Sequence, residues 1–267
     1  MEITKFKSDP YNSSNSLLCE SDVMNIMKSL NIHNFSINNL SIYQQAFVHK
    51  SYCTMKDYEE YSKPDNCLSL FDESYETMEF LGDSFLSNSI TTYLYKRYAT
   101  IHKMNEGFLT KLKIRFVCGE QLASLSKLLG FERYIIISKH IEDNCKGREN
   151  IHILEDVYEA FLGALYLDTN NFQIVDQFII QCIEMYIDFS ELILRDNNYK
   201  DQILRYFQHN YKVHPIYRTE KDDSTDSFIC KIFKEDECIE TGKGNTKKKA
   251  EQDASKNALL LYHVISE

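Results

Sequence analysis

Apolar residues recur at helical spacing through the first two-thirds of the chain and then switch to strand-like alternation. From Asp22 the positions Val23, Ile26, Met27 and Leu30 fall on one face, as expected of a helix that buries a stripe. Further helices are predicted near residues 40–52, 74–99, 105–129, 151–168 and 171–190. In the 74–99 stretch the stripe is Met78, Phe80, Leu81, Phe85 and Leu86. The segment 53–72 has no period and contains Pro64, so it reads as a loop. The segment 130–150 reads as a connector ending in the basic turn CKGREN, and no strand is expected before residue 199. The polar stretch RDNNYKD (195–201) reads as a linker. Beyond it, Ile203, Leu204, Tyr206 and Phe207 form a short amphipathic pattern. Three strand-like runs follow, PIYRTE, SFICKIF and CIETGK, separated by the acidic turns DDSTD and KEDE. A last helix is predicted from about Thr246 to Tyr262. Its Ala250, Ala254 and Ala258 recur every four residues and let it lie close on a sheet. The expected architecture is multi-domain: a flexible N-terminal arm (1–20), an all-α domain (21–194), a linker at about 195–199, and a small α+β domain of order α-β-β-β-α (195–267).

A length of 267 residues suits two domains, and 43% hydrophobic content suffices for packed cores. There is no run of 18 or more apolar residues, and the start of the chain lacks the apolar centre of a signal peptide. The chain is therefore expected to be intracellular, in the cytoplasm, with no membrane partner. Eight cysteines show no CxxC pair and no finger spacing with histidine, so reduced, mostly buried thiols are expected rather than a zinc site or disulfides.

Carboxylates gather on two of the predicted helices. Glu76, Glu79 and Asp83 lie at i, i+3 and i+7 and share a face. Like charges at this spacing destabilise a helix, and no base lies between Glu73 and Lys96 to interleave them. On the second helix Asp156 and Glu159 are i,i+3 neighbours flanked by apolar residues, while Glu155 points elsewhere on the wheel. Crowded acids beside apolar surface are costly unless a cation neutralises them. An all-oxygen donor set with no histidine or cysteine selects a hard ion, Mg²⁺ or Mn²⁺. Such an ion suits phosphoryl chemistry. A solvated acidic face and a nucleotide pyrophosphohydrolase remain open on these residues alone.

The segment Glu76-Thr-Met-Glu79-Phe80-Leu81-Gly82-Asp83-Ser84 resembles the signature of ribonuclease III nuclease domains. So do His49-Lys50-Ser51 upstream, Glu106-Gly107-x-Leu109 downstream, and the blocks Leu154–Ala160 and Gly163–Asp168. The segment Gly242-Lys243-Gly244-Asn245-Thr246-Lys247-Lys248-Lys249-Ala250-Glu251 resembles a double-stranded-RNA-binding domain. The resemblance implies an endoribonuclease that cuts both strands of double-stranded RNA as a homodimer and leaves short 3′ overhangs. It implies Glu79, Asp83, Asp156 and Glu159 as catalytic Mg²⁺ ligands (with Mn²⁺ able to substitute), and Glu76 and Glu106 as accessory catalytic acids. Phe80 is implied as the dimer contact, and Gln202, Arg205, Lys243, Lys247, Lys248 and Lys249 as RNA-binding residues. A protein that sequesters double-stranded RNA without cutting it is the alternative. Three features depart from the family pattern: the long insertion 53–72, the turn Lys221–Asp226 in place of Gly-Pro-x-His, and Arg205 where Glu is common.

The formal net charge of −10 argues against a polyanionic partner. The charge is unevenly spread, however. Residues 199–267 hold twelve basic and twelve acidic residues, so the whole excess precedes them. Lys247–Lys249 open the last predicted helix, where cations oppose the macrodipole. That is unfavourable for the helix and favourable for holding a phosphate, which A-form RNA presents without base-specific contacts. Lys111, Lys113, Arg115, Lys146 and Arg148 are further cations, each open to an RNA contact or a solvated role. His49 reads as a structural histidine, and Tyr93, Tyr95 and Tyr98 as core or dimer surface.

Overall fold

The computed structural model describes residues 8–194, 198–222, 225 and 227–265. The chain forms two compact units, Met1–Leu192 and Ile193–Glu267. The first seven residues of the expected arm, Arg195–Asn197 of the linker and residues 223, 224 and 226 of the 221–226 turn lie outside the described residues.

The first unit contains α1 (Glu20–Ser29), α2 (Leu40–Gln45), α3 (Glu76–Leu94), α4 (Glu106–Phe116), α5 (Gly119–Leu128), α6 (Lys139–Cys145), α7 (Ile151–Thr169) and α8 (Phe172–Tyr186), and α9 (Phe189–Leu194) begins in it and ends just past its boundary. The centre is α7. Its residues Leu154, Val157, Tyr158, Ala160, Phe161, Leu162, Ala164 and Leu165 are all fully buried, so more than half of the helix surface is apolar and covered by neighbours, and Glu155, Asp156 and Glu159 take the remaining sector. An aromatic cluster of Phe47, Phe131, Phe161 and Phe178 fills the space around it, with edge and tilted contacts at 4.9–6.2 Å.

Several boundaries differ from the periodicity. The predicted helix 40–52 stops at Gln45 because the chain extends to pair with residue 136: His49 N–H donates to the Ile136 carbonyl at 2.9 Å, and Ile136 N–H to Phe47. The predicted helix 105–129 is two helices. Cys118 is extended and caps α5, and the apolar period runs across the break, which hides it from the sequence. The connector 130–150 contains α6. The helix at 74–99 closes in a π turn over Tyr95–Thr100.

The loose arm does not extend to residues 10–18, which are laid against the domain. Asn12 is buried and donates to the Ile137 carbonyl and the Glu142 carboxylate, and Leu18 is in the core. These polar contacts have no periodic signature. The expectation of mostly buried thiols is also corrected. All eight are free, but only Cys53, Cys182 and Cys230 are buried.

The second unit contains α10 (Tyr199–Asn210), β1 (Ile216–Asp222), β2 (Ser227–Lys234), β3 (Glu237–Gly244) and α11 (Lys247–Leu261). The strands form an antiparallel sheet in the order β1-β2-β3, with an irregularity at Ile232/Phe233. Its core is Ile203 and Phe207 of α10, Cys230 and Ile232 of β2, and Ala250, Ala254, Ala258 and Leu259 of α11. A Cβ at Gly242 would fall 2.0 Å from the Ala254 nitrogen, so β3 and α11 meet backbone to backbone there. No helix among the described residues is long and apolar enough to cross a membrane.

Candidate active site and RNA-binding surface

Helices α3 and α7 touch through their backbones. A Cβ at Gly82 would lie 1.8 Å from the Glu159 carbonyl oxygen, and one at Gly163 would lie 2.3 Å from that of Met78. Each helix thus offers a glycine to the other, and the matched pairs run in opposite directions. The close approach brings the α3 acids Glu79 and Asp83 against the α7 acids Asp156 and Glu159.

Their proton affinities record the crowding. Glu159 is pushed up to about 8, first by burial and then by the charges of Asp83, Glu155, Glu79 and Asp156. Glu79 rises to about 7, first by burial and then by Asp156, Glu76 and Glu155. Burial also raises Asp156, opposed by the Tyr75 hydroxyl, which donates to its Oδ2 at 2.9 Å. Without a counter-ion the cluster therefore holds protons at neutral pH.

Two neighbours escaped the sequence reading. Tyr75 is 2% exposed and orients Asp156 from below the first turn of α3. Its tyrosine identity outside the i, i+3, i+7 set gave no signal. Glu155 is not turned away, as its wheel position implied. It is half-buried, its carboxylate occupies the space that a side chain at Gly119 would need (2.5 Å), and its charge reaches Glu79 and Glu159. The break before α5 creates that space.

Glu76 is exposed and accepts from Lys50 at 2.9 Å. The ion pair holds its carboxyl below the usual range, with the lysine hydrogen bond as the first cause. Glu106 opens α4, where its Oε1 accepts from Thr110 at 2.8 Å. Its charge is not among those acting most strongly on Glu79, Asp156 and Glu159. Phe80 follows Glu79 on the outer face and is 79% exposed. His49 caps the short turn Lys50–Tyr52: its Nδ1 accepts from Ser51 N–H at 3.2 Å.

The all-oxygen set fits a hard divalent ion. Glu79, Asp156 and Glu159, partly buried and mutually repelling with the exposed Asp83 beside them, lack the positive charge that would let those three ionise together. Among the described residues no three His, Cys, Asp or Glu side chains converge into a finished ion cage. The acids are thus a strained cluster, not a rigid socket.

In the second unit Lys247, Lys248 and Lys249 form the exposed first turn of α11, capped by Thr246, whose hydroxyl accepts from Lys249 N–H at 3.2 Å. Lys243 is exposed nearby on β3, and its N–H donates to Asp253. Gln202 is half-buried on α10. Arg205 pairs with Asp201 at 2.8 Å along the same helix. Three of the other cations have partners within the protein. Arg148 is bound to Glu142 at 2.8 Å and donates to the Ile135 carbonyl at 2.6 Å. Arg115 donates to the Leu192 carbonyl at 2.6 Å, and Lys113 donates to the Ser87 hydroxyl.

A family model described as Ribonuclease-III-like matches residues 39–185, and one described as a double-stranded RNA binding motif matches residues 199–262. The chain is 41% identical over 201 residues to a probable ribonuclease 3 of Acanthamoeba polyphaga mimivirus, covering 73% of this chain and 35% of that one. It is 34% identical over 243 residues to a ribonuclease 3 of Borreliella afzelii, covering 88% of this chain and 91% of that one. The solved nuclease domain of a Campylobacter jejuni ribonuclease III aligns with a TM-score of 0.48 at 26% identity, over 61% of this chain and 96% of that one. With both of its units matched, and a full-length relative well above a quarter identical, the chain belongs to the ribonuclease III family.

Proposed function

We propose that the protein is a Mg²⁺-dependent endoribonuclease that hydrolyses phosphodiester bonds in double-stranded RNA. The observation that carries this reading is the meeting of two acidic pairs across α3 and α7 in a chain that ends in a double-stranded-RNA-binding fold. Glu79, Asp83, Asp156 and Glu159 would hold the Mg²⁺, with Mn²⁺ able to substitute. When bound, the ion supplies an activated water and a counter-charge for the reacting phosphodiester.

The chain's own residues prepare that chemistry. Gly82 and Gly163 fix the separation of the two acidic pairs. Tyr75 holds Asp156 in one orientation, as outer hydrogen bonds do for ligating carboxylates. Glu76 and Glu106 serve as accessory acids. Lys243 and Lys247–Lys249 grip phosphates, and Gln202 and Arg205 contribute from α10, the first helix of the same unit. The division of labour is between a nuclease domain at 21–194 and an RNA-binding domain at 195–267, working in the cytoplasm, where free thiols persist.

Phe80 supports a homodimer. A phenylalanine ring exposed beside a catalytic acid is costly in water and is covered if a second copy docks on it. Two copies supply one acidic cluster per strand, which yields a double cut with short 3′ overhangs.

Digestion of long double-stranded RNA tests the reading. Short duplexes should appear with Mg²⁺ and not with EDTA. Glu159→Gln should bind the RNA and leave it intact. Retention of the wild-type cleavage rate in that variant sinks the mechanism. Binding without cleavage by the wild type favours sequestration instead.

A further inference from the structure

The acidic cluster poses an electrostatic problem for its substrate. Glu76, Glu79, Asp83, Asp156 and Glu159, with Glu155 behind them, repel a polyanion, and one divalent ion offsets two charges. Phosphate contacts at this point need a cation from the chain. The lysines of α11 belong to the other unit.

Lys50 stands at the edge of the cluster, with its Nζ 2.9 Å from Glu76 Oε1. Among the described residues it is the one lysine or arginine found among the charges acting most strongly on Glu76, Glu79 and Asp156. Its base is rigid. His49 N–H donates to the Ile136 carbonyl at 2.9 Å, and Tyr75 N–H to that of Val48 at 2.8 Å. Ser138 N–H donates to the Ser51 hydroxyl at 3.0 Å. These bonds lock the Lys50–Tyr52 turn to the start of α3 and to the 136–138 segment.

The tip is free to exchange. The side chains of Lys50 and Glu76 are 64% and 53% exposed, and an ion pair in water contributes little to the fold. A lysine on a fixed turn, parked on a weakly held carboxylate at the edge of the site, is placed to change partners.

We propose that Lys50 is a catalytic residue that leaves Glu76 when RNA arrives and binds a non-bridging oxygen of the substrate phosphate at the acidic cluster. This rests on the endoribonuclease reading above. The contact is a charge-assisted hydrogen bond from Nζ to a phosphate oxygen, and Glu76 is released in the exchange.

The test compares full-length wild type, Lys50→Met and Lys50→Arg in single-turnover cleavage of a defined RNA duplex at saturating enzyme. Binding of Mn²⁺ alone to the RNA-free proteins is measured by calorimetry. Lys50→Met should cleave roughly 10–100-fold more slowly, and Lys50→Arg should recover to within about 5-fold of wild type. Mn²⁺ binding to Lys50→Met should be unchanged or tighter, because a neighbouring positive charge has been removed. A purely structural lysine that serves to place Glu76 predicts the opposite: Mn²⁺ binding weakens along with cleavage. That result overturns the proposal. So does cleavage by Lys50→Met within about twofold of wild type, or equal losses in the Met and Arg variants. If the wild type fails to cut the duplex with Mg²⁺ while still binding it, the endoribonuclease reading falls, and this proposal falls with it. Loss confined to Lys50→Met, with wild type and Lys50→Arg active, is the expected result and supports both readings.

Discussion

Replacing Glu159 by Gln should make the metal-free protein more stable while abolishing its activity. Gln keeps the shape and removes the charge. In the folded protein Glu159 titrates near 8, against an ordinary value of 4.5. The folded state therefore holds a proton that the unfolded chain releases over this interval. Stability linked to this group is fully present below about pH 4.5 and is lost as pH rises through 8. The full difference corresponds to a ceiling of about 5 kcal/mol. The carboxylate is only partly shielded from water, and its repulsion is shared with Asp83, Glu155, Glu79 and Asp156, so screening reduces the figure to about 1–2 kcal/mol. For a unit of this size that is a rise of roughly 2–8 °C in the melting temperature of Glu159→Gln in EDTA at pH 8.

The assay is thermal unfolding of both proteins in EDTA from pH 5 to pH 8.5, followed by a Mg²⁺ titration at pH 8. The advantage of the variant should shrink toward pH 5, where the wild type keeps its proton. Mg²⁺ should then raise the wild-type midpoint more than that of the variant, because an ion that binds only the folded state adds stability by mass action. Equal midpoints at pH 8, or an advantage that does not vary with pH, would refute the crowding argument.

Other outcomes follow from the same geometry. Gly82→Ala places a methyl group 1.8 Å from the Glu159 carbonyl oxygen, so α3 and α7 must part; denaturant unfolding should show a loss of about 3 kcal/mol or more. Tyr75→Phe removes the hydrogen bond that holds Asp156; cleavage kinetics should show roughly a 10–100-fold weaker response to Mg²⁺. Phe80→Asp should shift the protein toward monomer in sedimentation and suppress double-strand cutting while leaving RNA binding by the second unit intact. Replacing Lys247, Lys248 and Lys249 by Ala should weaken binding to all duplex sequences and reduce the salt slope of log K by about 2–3.

The two acidic pairs were legible because helical period and charge are both local properties. Glu79/Asp83 and Asp156/Glu159 each sit within one turn of helix, and the absence of bases near them is visible in the string of residues. The way the pairs meet was not legible. Gly82 and Gly163 look like ordinary weak helix positions until each is seen against the other helix's backbone. Tyr75 and Glu155 were missed for the same reason, since their partners lie 81 residues away and across the α5 break respectively. Arg148 shows the converse error. A basic loop invites a nucleic-acid reading, but the guanidinium is consumed by Glu142 and by carbonyls that no periodicity marks. In the second unit, alternation gave the strands and the Ala250/Ala254/Ala258 spacing gave the packed face of α11, because both are short-range patterns fixed by one buried surface.

The distribution of charge gives the two units different parts of one task. The unit that carries the acids also carries the whole −10, so it resists RNA when no ion is bound. The neutral unit concentrates its cations at the start of α11, where helix dipole and lysines point the same way. Sequence-independent affinity then comes from the second unit, and commitment to cleavage depends on cations at the first. An ion that neutralises Glu159 and Glu79 removes both the strain in the fold and the barrier to the substrate. The crowding that lowers the stability of the metal-free protein should therefore also make the nuclease unit hold RNA better once an ion is bound. RNA affinity of the isolated charges on α11 should be indifferent to EDTA, whereas the grip of the whole chain on a duplex should tighten with a divalent ion even in Glu76→Gln. Affinity of the full-length protein that is unchanged between EDTA and Ca²⁺ at constant ionic strength would show that the acids do not gate the substrate.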